Sequence, residues 1–134
     1  MQKAKQHHSR VLHREPVPNN VNLYCVGKPD GFRFLPGQAI ELAADQPGWS
    51  DDKHPFTLTS LPGNPCLEFT IKSYPVAQNP KHDGMTEHLG RNIKVGGSVP
   101  FGDAWGAIEY NGPGVFIAGG AGISPFIAIL RQQE

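Results

Sequence analysis

The chain has 134 residues, with 12 Lys and Arg against 12 Asp and Glu, and two cysteines. That length allows one ordinary core without disulfides or metal. The balanced charge supplies no basic field for phosphate backbones or anionic lipid, which argues against nucleic acid as a partner, and Cys25 and Cys66 are too few for a disulfide scaffold.

The first ten residues, MQKAKQHHSR, carry basic groups but no apolar stretch or small-residue cleavage site. They do not read as a signal peptide, so a cytoplasmic location is expected. Val11 to Glu15 and Val21 to Val26 read as a hairpin turned by Pro16, Pro18, Asn19 and Asn20. A third, half-buried strand is expected over Gln38 to Ala43, after Pro36 and Gly37. A polar loop through Trp49 and Asp52 then gives way to HPFTLTS, residues 54–60, as a fourth strand. In the fifth, Leu67, Phe69, Ile71 and Ser73 alternate with Glu68, Thr70, Lys72 and Tyr74 in a period of two.

Gly84 to Leu89 predicts a short helix closed by Gly90, and Ser98 to Phe101 a sixth strand. Six short strands with 16 Gly and 13 Pro between them suit a closed antiparallel barrel, because closure removes exposed strand edges. Residues 8–110 would hold it. Residues 113–134 differ in character. Val115 to Ala118 is a continuous apolar run of the kind found in parallel sheets, followed by GGAGISPF, with Ser124 as helix N-cap and Pro125 at the first helical position. This reads as the opening of an α/β nucleotide-binding unit that has no neighbouring strands and therefore looks cut short. The longest apolar run, Gly114 to Leu130, is broken by Gly119, Gly120, Gly122, Ser124 and Pro125 and is too short for a bilayer span.

Three stretches carry the chemistry: HPFTLTS at 54–60, DGMTEHL at 83–89 and GGAGISP at 119–125. A strand offering an aromatic face beside hydroxyls suits a flat heteroaromatic ring. Phe56 and Thr57 point to opposite faces of a strand, so one ring touching both requires the barrel to be open there. Gly84 lets backbone approach closely, and the N–H groups of Met85 and Thr86 with the Thr86 hydroxyl form a site for anionic oxygens. Gly120 and Gly122 belong to a Gly-x-Gly-x-x-Pro turn between a buried strand and a helix, a partial dinucleotide fingerprint. The six histidines show no paired metal spacing on one element, so no metal site is expected. No Gly-x-Ser-x-Gly elbow or acid/base pair supports hydrolysis.

In that order the three stretches resemble the ferredoxin-NADP reductase superfamily, in which a flavin-binding barrel precedes a nicotinamide-binding domain; the form HPFT is also similar to the cytosolic half of NADPH oxidases and ferric reductases. The resemblance implies a mainly β fold, a six-stranded antiparallel flavin-binding barrel with one short helix followed by a truncated α/β nucleotide-binding unit. It implies that His54, Pro55, Phe56 and Thr57 replace the superfamily's Arg-x-Tyr-Ser, with Phe56 stacking on the isoalloxazine and Thr57 bonding near its N5. His54 weakens a pyrophosphate contact that a forked guanidinium would make. Lys72 and Tyr74 would lie beside the flavin, Gly84, Met85 and Thr86 would hold FAD's pyrophosphate, and Gly120, Gly122 and Ser124 would take the nicotinamide nucleotide. Thr57 and Ser124 are the catalytic candidates.

The function implied is the FAD-binding part of an NAD(P)H-dependent oxidoreductase passing electrons to flavodoxin or ferredoxin, with this chain alone not fully active. The rivals are a cytosolic piece of a membrane ferric reductase or NADPH oxidase, and a non-enzymatic binding barrel.

Overall fold

The computed structural model describes residues 5–134; the first four positions of the leader reading lie outside them. Its strands are β1 (Gln6–Val17), β2 (Val21–Gly27), β3 (Ala39–Leu42), β4 (His54–Thr57), β5 (Cys66–Lys72) and β6 (Ser98–Gly102), with helices α1 (Met85–Asn92) and α2 (Ser124–Gln132). All pairings are antiparallel, in the order β4-β3-β6-β1-β2-β5. The expected mainly β, six-stranded barrel is therefore present.

β1 serves both halves of the sheet. Gln6 to Arg10 pairs with β6 and Val11 to Val17 with β2, and the register shifts between Val11 and His13. The strand runs further toward the N-terminus than Val11 because its first residues, although polar, are held by ladder bonds that hydrophobic patterning does not reveal. His7 is buried there, stacked on Phe101 at 5.4 Å and bonded to Asp103 at 2.8 Å. The β1–β2 hairpin turns on Asn19 and Asn20, both left-handed at φ 68° and 61°, the conformation a tight hairpin needs and asparagine tolerates.

The inward residues of the strands form the core: Val11, Tyr24, Ile40, Leu42, Phe69, Val99 and Phe101 are all buried. Met85 and Leu89 of α1 plug the same core. Gly90 does not close this helix but lies inside it. The last-turn carbonyls are instead satisfied by Arg14, whose guanidinium bonds the oxygens of Gly90 and Ile93. A cation at a helix C-terminus does the work that a left-handed glycine would otherwise do.

The barrel closes between its two edge strands. Just past β4, Thr59 N donates to Glu68 O of β5 at 2.9 Å, and the Ser60 hydroxyl accepts from Glu68 N at 3.0 Å.

Residues 115–118 form no strand. Val115 and Ile117 are 90% and 87% exposed, since a parallel strand exists only by pairing and none of the described strands lies beside it. Nor is Ser124 an N-cap. A 3-10 turn, Gly120–Ile123, runs directly into α2, and Ser124 is already helical at φ −54° with no capping bond. α2 buries Pro125, Ala128 and Ile129. It meets the barrel at Gly37, whose φ of +102° and closeness to Ile108 O, 2.3 Å from where a Cβ would stand, leave no room for a side chain.

Candidate functional site

The seam between β4 and β5 is zipped at Thr59–Glu68 and open at its other end. There β4 pairs with β3 on one side only, and Ile71 and Lys72 of β5 pair only with Asn22 and Val21 of β2. The opening is a groove of about 180 Å³ lined by Pro55, Phe56, Thr57, Thr70, Lys72 and Tyr74, with Thr86 of α1 and Ala121 and Ser124 of the glycine turn completing it. Because the gap lies along a strand edge, consecutive residues of β4 reach it whichever face they point to. Phe56 and Thr57 thus share one groove, the opening that their alternation demanded.

The first turn of α1 holds one wall in place. The Thr86 hydroxyl accepts a bond from Tyr74 N at 3.0 Å, and the Glu87 carboxylate accepts from Val76 N at 2.9 Å. Tyr74 stacks on His82 at 4.3 Å, and the Lys72 ammonium sits 5.4 Å from its ring centre. Lys72 is the charged side chain among the groove's lining residues, so the groove favours an anionic or electron-rich ligand.

The remaining expected residues lie elsewhere. His54 lies beside the groove and not in its lining, its Nε2 3.1 Å from Asp52 Oδ1 and 2.8 Å from Asp83 Oδ2. Gly84, left-handed at φ 88°, faces a second depression of about 310 Å³ with Trp49, Val76, Asp83 and His88. The Met85 side chain is buried in the core, and its N–H already donates to Asp83 Oδ1 at 3.0 Å. That bond, with Asp52 and His54 adding to it, holds the Asp83 carboxyl below the usual carboxylate range. Gly120 and Gly122 are exposed in the 3-10 turn, and Ala121 between them faces the groove.

Thr70, Ala121 and the two aspartates are the residues that sequence reasoning missed. Thr70 was visible through its period with Lys72; the aspartates join His54 only through the fold. Their ligand atoms lie within 4.8 Å of one another, a spacing a metal ion could use, although no single element carries paired ligands. Here the trio is joined by hydrogen bonds through His54, and Asp83 also accepts the Met85 N–H at the start of α1.

The site is thus a groove at the open seam of a six-stranded barrel, with an aromatic and hydroxyl wall and a glycine turn at its mouth. No protein-family model matches the chain. It is 34% identical over 129 residues to the reductase component of propane 2-monooxygenase from Gordonia sp. (strain TY-5), covering 92% of this chain and 35% of that protein. It is 30% identical over 133 residues to dual oxidase 2 of Sus scrofa, covering 91% of this chain and 8% of that one. The FAD/NAD binding domain of nitric oxide dioxygenase from Vibrio cholerae superimposes with a TM-score of 0.80 at 21% identity, over 97% of this chain and 57% of that one. Ferredoxin-NADP+ reductases match with the same fold.

The chain thus carries the fold of the ferredoxin-NADP reductase superfamily, and the resemblance read from its three motifs stands. These relatives are oxidoreductases by name, and the chain spans about a third or less of their length. None of its helices is long and apolar enough to cross a membrane, among the described residues.

Proposed function

We propose that this chain is the FAD-binding part of an NAD(P)H-dependent oxidoreductase that delivers electrons to an acceptor of the flavodoxin, ferredoxin or oxygenase-component kind. One observation carries the reading: the barrel is open along the β4–β5 seam, and that opening gathers Phe56, Thr57, Lys72, Tyr74, Thr86 and Ser124 from four separate segments.

The donor set fits a flavin. Phe56 and Tyr74 supply aromatic surface, and Thr57, Thr70 and Thr86 supply hydroxyls that donate or accept as the ring's polar edge requires. When bound, the flavin supplies the hydride and single-electron chemistry, and the protein supplies orientation and electrostatics. Thr57 would offer a hydroxyl to the ring edge, and Ser124 would offer one to a nicotinamide nucleotide held at the glycine turn. Lys72 offers positive charge to a reduced, anionic ring. For the pyrophosphate, Asp83 consumes the Met85 donor, which leaves the Thr86 hydroxyl and the first-turn N–H groups of Thr86 and Glu87, unbonded within any helix, to face anionic oxygens.

The domain division follows from the same reading: residues 8–110 bind FAD, and residues 113–134 begin the nicotinamide-binding unit. A second reading is favoured by the dual oxidase relative: the same barrel serving the cytosolic side of a membrane oxidase. Membrane-spanning segments encoded in the same gene would decide for it. The test of the principal reading is titration of the purified chain with FAD, FMN and riboflavin, followed by flavin fluorescence. Saturable FAD binding, tighter than riboflavin, is expected; no change with any of the three would sink the proposal.

A further inference from the structure

Cys25 and Cys66 stand 41 positions apart in sequence, and as a sequence each reads as a separate apolar thiol. The β2–β5 ladder brings them together. Cys25 is opposite Glu68, and Cys66 is opposite Gly27. Because 25 and 27 share one face of β2, and 66 and 68 the same face of β5, the two thiols are diagonal neighbours on one surface. Both are half-buried and unbridged. Burial, then the Cys66 thiol beside it, then the Glu68 carboxylate push the Cys25 thiol up to about 11, so it is protonated and slow to react at neutral pH, and oxidation should quicken as the solution is made alkaline.

We propose that Cys25 and Cys66 form a reversible disulfide across the β2–β5 ladder when the protein meets a peroxide. The peroxide transfers one oxygen to one sulfur, giving a sulfenic acid and releasing water. The second thiol then attacks that sulfur; the S–S bond forms, the S–O bond breaks and a second water leaves. Two thiols are oxidised and one peroxide is reduced.

Geometry sets the character of this bond. Diagonal neighbours have Cα atoms about 7–8 Å apart, a little beyond the ~4.4–6.8 Å that disulfides span. Closure therefore requires a small shift of the ladder. The place is suited to one, since Gly27 is the last residue of β2 and Cys66 the first of β5. The Gly27 position offers no side chain opposite Cys66. A bond that forms under such strain is readily reduced, as labile and regulatory disulfides are.

The experiment treats the native chain with hydrogen peroxide, blocks remaining thiols by alkylation and weighs the intact protein. The expected product is a monomer lighter by two hydrogens, unalkylated at both cysteines and restored by dithiothreitol. Cys25→Ser should halt at a sulfenic acid on Cys66 that dimedone captures. Two alkylatable thiols after treatment, independent over-oxidation of each cysteine, or a disulfide-linked dimer on a non-reducing gel would each overturn the proposal. None of these readouts depends on flavin binding.

Discussion

Arg131, in the last turn of α2, bonds the Thr59 carbonyl at 2.7 Å and the Glu68 carboxylate at 2.5 Å, so the helix that follows the glycine turn is fastened to the two residues that close the barrel. The same carboxylate accepts the Thr59 hydroxyl. Seam closure and the placing of Ala121 and Ser124 at the groove are thus one network. Arg131 is 45% exposed, which weakens the ion pair through solvent screening. Arg131→Met should lower stability by about 1–2 kcal/mol, and Glu68→Gln by a similar amount. Urea unfolding of the two single variants and the double variant checks this. The double should cost less than the sum, because both changes break one network.

Phe56 and Thr57 are half-buried at the groove, and Phe56 also packs against the edge of the core. Phe56→Ala should weaken FAD binding by roughly tenfold, about 1–1.5 kcal/mol. Thr57→Val keeps the shape and removes the hydroxyl, and should instead shift the absorption spectrum and midpoint potential of bound flavin. Fluorescence titration and spectroelectrochemistry of the variants separate these two effects. Equal affinity in wild type and Phe56→Ala would remove the stacking role.

Asp83 caps α1 through the Met85 N–H and pairs with His54. Its pKa is lowered on folding from the ordinary 3.8. A carboxyl lowered in the folded state contributes stability that is present above its unfolded pKa and is lost as pH falls through the folded one. Stability should therefore fall as pH drops below about 4, and Asp83→Asn should flatten that loss at little cost at neutral pH, since the amide oxygen can still accept the Met85 N–H. Thermal melts from pH 3 to pH 7 give both quantities.

Gly37→Ala should destabilise by at least 1–3 kcal/mol, because the new Cβ would be 2.3 Å from Ile108 O at a left-handed φ. By contrast, Val115→Thr and Ile117→Thr should each change the stability of this chain by less than about 0.5 kcal/mol, since both side chains are almost fully exposed. Chemical denaturation of the three variants tests the contrast.

The sequence by itself determined the strands whose pattern is local. The alternation of Leu67 to Tyr74 located β5, Asn19 and Asn20 located the hairpin turn, and the neighbouring aromatic and hydroxyl of β4 implied an opening in the barrel. These follow from side-chain period and backbone preference, which act over a few residues. Only the tertiary structure decided where that opening lies, and that Thr70, Ala121 and Ser124 share it. It placed His54 between Asp52 and Asp83, and let Arg14, not Gly90, finish α1. It also left residues 115–118 without a partner, although their composition is that of a buried strand. Each of these depends on which strand edges meet, and such contacts between distant residues leave no periodic trace along the chain.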